Sequence, residues 1–252
     1  YNKFYDNVTH GKKLHELEKS TQNQFLKQDL KVERARKYTY YNAHTENNDK
    51  QKALNLIDSV FTSKVNANAL AQAEILRNEI IKKSITVKFN KTIYPNENTR
   101  ALINYKNVDS IKISYYKFSI ALNEYLYKNR NGKYYDSDSL VNDFIKKNKA
   151  YKSYYRILPK RLDFNNHSTE ILLESVEEGN YLVFLESNNY SQLNALSKNA
   201  SCYEIVKATQ FIVIEDEEET NDVLYLYDRK TGKPIENASI IGELGKYKSD
   251  KN

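Results

Sequence analysis

Apolar residues recur along this chain with two different periods, and the change from one to the other falls near residue 84. Before it, Leu14, Leu17 and Thr21 share a helical face, Leu54, Ile57, Phe61 and Val65 follow a second, and Ala69, Ala73, Leu76 and Ile80 a third. Asn48 or Asp49 stands where a cap of the third helix belongs, and Asn66 where a cap of the fourth belongs. No proline precedes Pro95, which suits helices joined by short turns. Residues 1–83 are therefore expected to form a small helical array, with no repeat at a period near ~34 residues.

From Ser84 the period drops to two. Ile85, Val87 and Phe89 alternate with polar residues, and so do Ala101, Ile103 and Tyr105, then Ile111, Ile113 and Tyr115. Asn107 and Asp109 lie between the last two runs, where Asx side chains favour a turn, so residues 100–118 read as a hairpin. Residues 119–156 read as a helical insertion over one end of a sandwich, with Leu140, Phe144 and Asn148 at helical spacing and Asn129 to Gly132 as loop. Strand signals resume around Pro159, over residues 168–173, in residues 181–185, and again at 202–206 and 210–214. The run Tyr181-Leu182-Val183-Phe184-Leu185 is apolar on both faces, as a central strand covered on each side is. About seven strands over residues 84–214 is the number an immunoglobulin-like sandwich needs.

Five consecutive acids, Glu215 to Glu219, then read as a solvated linker, because a calcium loop needs oxygen ligands at spaced positions. Val223 to Asp228, a turn over Arg229 to Pro234 and a second strand from Ile235 to Ile241 follow. Two strands cannot close a sandwich, so residues 215–252 are expected to open a further module. The fold class expected is thus α+β: helical array over residues 1–83, sandwich with its insertion over 84–214, and linker plus opening strands over 215–252.

Composition removes several kinds of function. The formal net charge is +6, from 39 basic and 33 acidic residues, and the two signs are interspersed, so no stripe for nucleic acid is expected. The runs Lys31 to Lys37 and Lys146 to Lys152 fall on expected helix faces. No window is apolar enough to span a membrane. The chain begins at Tyr1 with neither Met nor an apolar leader, which leaves its compartment open. A single cysteine, Cys202, excludes an internal disulfide and reads as a small buried hydrophobe in a strand. Six glycines and no phosphate-cradling motif argue against nucleotide chemistry. His10 and His15 are five apart, the wrong spacing for a helical metal pair, and His44 and His167 stand alone, so no catalytic, cofactor or metal residue is assigned. The 22 tyrosines include the clusters Tyr38-Tyr40-Tyr41, Tyr115-Tyr116, Tyr134-Tyr135 and Tyr154-Tyr155. In strands, neighbouring tyrosines face opposite ways, so half of each pair is expected in the core, against a reading as a stacking surface for sugars or a protein.

Three segments carry a resemblance: the hairpin LINYKNVDSIKISYYK, the strand pair HSTEILLESVEEGNYLVFLES from His167 to Ser187, and VLYLYDRKTGKPIENASI from Val223 to Ile240. Together and in this order they resemble the N-terminal part of bacterial alpha-2-macroglobulin-like proteins, particularly the large cell-envelope versions of Bacteroides-type bacteria. The resemblance implies macroglobulin domains, each an immunoglobulin-like sandwich, in a non-enzymatic protease trap. It implies endoproteases as partners through other parts of a full-length protein, and an exported, periplasmic or outer-membrane-associated lipoprotein anchored outside this chain. Many members carry a Cys-Gly-Glu-Gln-type thioester, whereas Cys202 is followed by Tyr203-Glu204-Ile205 and takes no such role. The alternative is a carbohydrate- or protein-binding surface module built on the tyrosine clusters.

Overall fold

In the computed structural model, residues 6–40, 49–63, 65–118, 137–187, 199–218, 221–242 and 245–250 are described. Four helices come first: α1 (Asp6–Ser20), α2 (Gln24–Thr39), α3 (Lys50–Ser63) and α4 (Ala67–Ile81). Side-chain caps start three of them. Asn23 Oδ1 accepts from the amides of Phe25 and Leu26, Asp49 Oδ1 from Lys52, and Asn66 Oδ1 from Asn68 and Ala69. The expected caps at Asp49 and Asn66 are therefore present, and Asn48 lies outside the described residues. Val32, Ala35, Ala53, Ile57, Val60, Ala73, Leu76 and Ile80 form one core between α2, α3 and α4. The α4 face falls where its spacing put it. On α3 the buried positions are Ala53, Leu54, Ile57 and Val60, while Phe61 is half-buried and Val65, beyond the helix, is exposed. The α1 face differs more: Leu17 is largely exposed, and α1 meets α2 through the Glu18–Arg34 ion pair.

The strands that follow are β1 (Ser84–Lys88), β2 (Thr92–Ile93), β3 (Thr99–Lys106), β4 (Ser110–Phe118), β5 (Lys152–Ile157), β6 (His167–Leu173), β7 (Gly179–Ser187) and β8 (Ser201–Ala208). They make two sheets. One has the order β1-β3-β6, all antiparallel; the other has the order β2-β8-β7-β4-β5, antiparallel except for the short parallel pair of β2 and β8. Ile85, Val87, Ala101, Ile103 and Tyr105 face Ile111, Ile113, Tyr115, Tyr181, Val183, Leu185 and Val206 across the interior. Each large side chain buried there contributes about 1.5–3 kcal/mol. The result is an immunoglobulin-like sandwich in an α+β chain.

Two expectations change. β3 and β4 are not a hairpin: β3 pairs with β1 and β6, β4 with β5 and β7, and the turn between them crosses from one sheet to the other. The alternation fixes only which side chains face inward, and both strands of an arch share that pattern with both strands of a hairpin. The pair β6 and β7 is divided between the sheets in the same way. The insertion also differs. Helix α5 (Ser137–Lys147) lies on the outer face of the five-stranded sheet, not over an end, with Val141 and Phe144 against Tyr116 and Leu182. Residues 152–156, expected inside the insertion, form edge strand β5. The cover from α5 explains why β7 is apolar on both sides. Residues 129–132 lie outside the described residues.

Beyond the sandwich, β9 (Phe211–Glu218) and β10 (Asn221–Asp228) pair only with each other among the described strands, and β11 (Ser239–Gly242) pairs with β12 (Gly245–Lys248). Residues 210–214, read as a last strand of the sandwich, therefore belong to a separate ribbon. The acids Glu215 to Glu218 extend that ribbon and are not a linker. The strand expected from Ile235 to Ile241 is split: at its start the Ile235 amide donates to Leu226 O of β10, beside the bridge of Tyr227 to Pro234, while Ser239–Gly242 pairs with β12.

Candidate functional site at the two junctions of the sandwich

The helical array is fastened to the sandwich by the turn between β3 and β4. Asn107 there has φ 56°, a left-handed conformation that asparagine tolerates better than most residues. Its Nδ2 donates to the carbonyls of Ile80 at 2.8 Å and Lys82 at 3.0 Å. Those carbonyls close α4, where a helix leaves its last acceptors unpaired. Lys106 Nζ donates to Glu79 O, and Lys50 Nζ to Phe164 O and Asn165 Oδ1. Phe164, also left-handed at φ 58°, packs on the helical core. Between these groups is a cavity of about 360 Å³, lined in part by Tyr40, Lys50, Glu79 and Lys106. Burial lowers the pKa of both lysines, and the Lys50 charge lowers that of Lys106 further. Tyr40 donates its hydroxyl proton to Glu79 Oε2 at 2.8 Å, a bond that raises the phenol pKa.

The second junction is the turn after β10. Asp228 Oδ1 accepts from the amides of Lys230 and Thr231 and from the Thr231 hydroxyl, which holds its carboxyl below the usual carboxylate range. Gly232 follows at φ 67°, where a side chain would be strained. This turn aims Arg229 back at the sandwich. The guanidinium lies 4.3 Å from the centre of the Tyr94 ring, and donates to the carbonyls of Thr92, Ile93 and Thr209. Tyr94 Oη donates in return to Arg229 O at 3.1 Å, and Lys230 pairs with Glu97. A planar cation with several donors suits three converging carbonyls better than a lysine would.

No family model matches the chain, and no curated protein does. Solved structures do align with it. The native alpha-2-macroglobulin of Escherichia coli, in a fragment spanning domains NIE-MG1, covers 68% of this chain and 84% of its own at 13% identity and TM-score 0.42. The fragment spanning MG0-NIE-MG1 covers 68% at 12% identity and TM-score 0.40, and this chain spans only 55% of that fragment. A superoxide reductase (neelaredoxin) variant from Ignicoccus hospitalis covers 52% at 6% identity and TM-score 0.28. Scores this low leave the fold to be argued from the strand pairing above.

The other residues singled out in the sequence are dispersed. Cys202 is half-buried on β8, and burial pushes its thiol up to about 12, so it is a thiol at neutral pH. His15 is on α1, whereas His167 pairs through Nε2 with Asp163 at 2.7 Å beside the sandwich. Among the described residues no three metal-binding side chains cluster. The tyrosine pairs split as strand geometry requires: Tyr115 and Tyr154 turn toward the core, Tyr116 lies under α5, and Tyr155 is exposed. His44, Tyr41, Tyr134 and Tyr135 lie outside the described residues. The sequence pattern puts Asn107 and Arg229 in turns and gives no functional role to Arg229, Tyr94 or Asn107. Nothing local in the sequence says that an arginine 135 positions from Tyr94 will stack on it.

Proposed function

We propose that this chain is a non-enzymatic scaffold segment of a bacterial alpha-2-macroglobulin-like protease trap, in which the helical array, the sandwich and the start of a further sandwich are held in fixed relation. The observation that carries the reading is the Arg229 junction, because a charged side chain locked on three carbonyls holds the following strands in one orientation. A trap that closes on an attacker needs such stiff joints away from the part that is cut. The β9–β10 ribbon adds support. Phe211, Ile212, Val213 and Ile214 are each exposed there, and a two-stranded ribbon is marginal in water unless more strands cover it. Further strands of the same polypeptide are the cover this reading requires, which makes residues 211–252 the opening of the next module. The sequence resemblance supports a location in the cell envelope, with the anchor on a segment outside this chain. Among the described residues no helix is long and apolar enough to cross a membrane.

The test uses the full-length protein and an endoprotease in equimolar mixture. Retained cleavage of a small peptide substrate with loss of activity on a large protein substrate is expected; undiminished cleavage of the large substrate would overturn the reading.

A binding-module reading draws on one observation of its own: Tyr225 and Tyr227 present nearly parallel rings 6.3 Å apart on β10. Binding in a glycan screen that is lost in Tyr225→Ala would favour it.

A further inference from the structure

Among the described residues, the β5 edge of the five-stranded sheet has no strand beside it, and it combines three properties. It is apolar at its tips, it is cationic, and it is held rigidly. Ile157, at the end of β5, is 88% exposed, and Leu162, in the following loop, is 73% exposed. Tyr155, on the same side of β5 as Ile157, is 54% exposed. Residues 146–162 contain seven lysines and arginines and no acid; Lys152 and Arg156 among them pair with Glu174, while Lys160 and Arg161 are both exposed between the two apolar tips. The loop is nevertheless pinned at each end. Leu158 is buried in the sandwich and its amide donates to Asp109 O, Tyr105 Oη donates to Pro159 O at 2.7 Å, and Phe164 O accepts from Lys50 Nζ. Side chains left this open on an anchored backbone are not awaiting a local rearrangement to cover them.

We propose that this edge is a docking surface for an anionic lipid bilayer, with Ile157 and Leu162 entering the interface and Lys160 and Arg161 at the headgroups. Charge complementarity selects the partner's sign: basic residues beside apolar tips are drawn to anionic lipid, each cation adding to the attraction near the surface. Geometry selects a bilayer over an added β-strand. Lysine and arginine in an edge strand discourage strand addition, and β5 carries Lys152 and Arg156. Leu162 lies outside any strand, so a strand laid along β5 would leave it bare, whereas a bilayer takes side-chain tips whatever their backbone does. β5 spans about 20 Å, enough to set the tilt of the sandwich on a surface. The inference is independent of protease trapping.

The test is flotation of the chain with vesicles of phosphatidylcholine alone or mixed equally with phosphatidylglycerol, at low and at high salt. Circular dichroism confirms that each variant is folded. We expect at least tenfold stronger partitioning onto the mixed vesicles, weakened by salt, and a loss of tenfold or more in both Ile157→Ser/Leu162→Ser and Lys160→Gln/Arg161→Gln. Equal partitioning of the Ile157→Ser/Leu162→Ser variant and the parent would overturn insertion, and absence of partitioning onto mixed vesicles at low salt would overturn the surface altogether. Retention on immobilised polyglutamate without vesicle binding would overturn it in favour of an acidic protein partner.

Discussion

Single side chains in this chain matter mostly where they close off backbone groups. Arg229→Ala removes donors from three carbonyls and a cation from the Tyr94 face, and is expected to destabilise the protein by about 2–3 kcal/mol. Thermal unfolding measures it, and hydrogen exchange at Thr209 and the neighbouring strand ends should rise first. Asn107→Ala combines loss of two bonds with an unfavourable left-handed backbone and should cost about 1–2 kcal/mol; Asn107→Gly relieves only the backbone part, so the two variants separate the contributions. Cys202 gives a simple chemical readout. With its thiol pushed up to about 12, it should resist a thiol reagent at pH 7.5 and react on denaturation. Carboxylates behave in the opposite sense. Glu174 is held below its ordinary pKa by Lys152 and then Arg156, and Asp228 by Thr231. Their folded values lie under the unfolded ones, so their stabilisation is complete above about pH 5 and is lost as pH falls below ~4. Glu174→Gln should therefore flatten the fall in melting temperature between pH 5 and pH 3.

At the scale of elements, α5 is the informative case. It covers an outer sheet face that would otherwise expose Leu182 and Tyr116, with Val141 at 1% exposure between them. Val141→Asp buries a charge without a partner and should lower the melting temperature by well over 10 °C, with loss of helix in circular dichroism. The sequence spoke clearly about this layer from the other side, because β7 is apolar on both faces. It was also clear about α4, where the cap and the buried positions Ala69, Ala73, Leu76 and Ile80 were legible, and about which residues of β3 and β4 face inward. It was silent on partners. Alternation assigns a side chain to a face and says nothing of which strand lies alongside, so arches passed for hairpins and β9 was counted into the sandwich. The Arg229 junction was hidden for the same reason: long-range packing leaves no local pattern.

For the whole molecule, the two junctions make a continuous hydrogen-bonded path from α4 through the sandwich to β10. The sheet-to-sheet turns have a further consequence, for how the chain reaches this state. Because β3 and β4 join different sheets, as do β6 and β7, β3 must find β6 some 70 residues away and β4 must find β7 at a similar remove. Non-local pairing of this sort slows folding, to milliseconds or longer for small all-β domains, and leaves strand edges open meanwhile. Within the sheets only β4 with β5 and β7 with β8 join consecutive strands, and residues 119–136 and 188–198 stand inside those two connections. The helical array, made of local contacts and complete before any strand is synthesised, is the part able to form first on the ribosome, offering the emerging β3–β4 turn a finished α4 to close on.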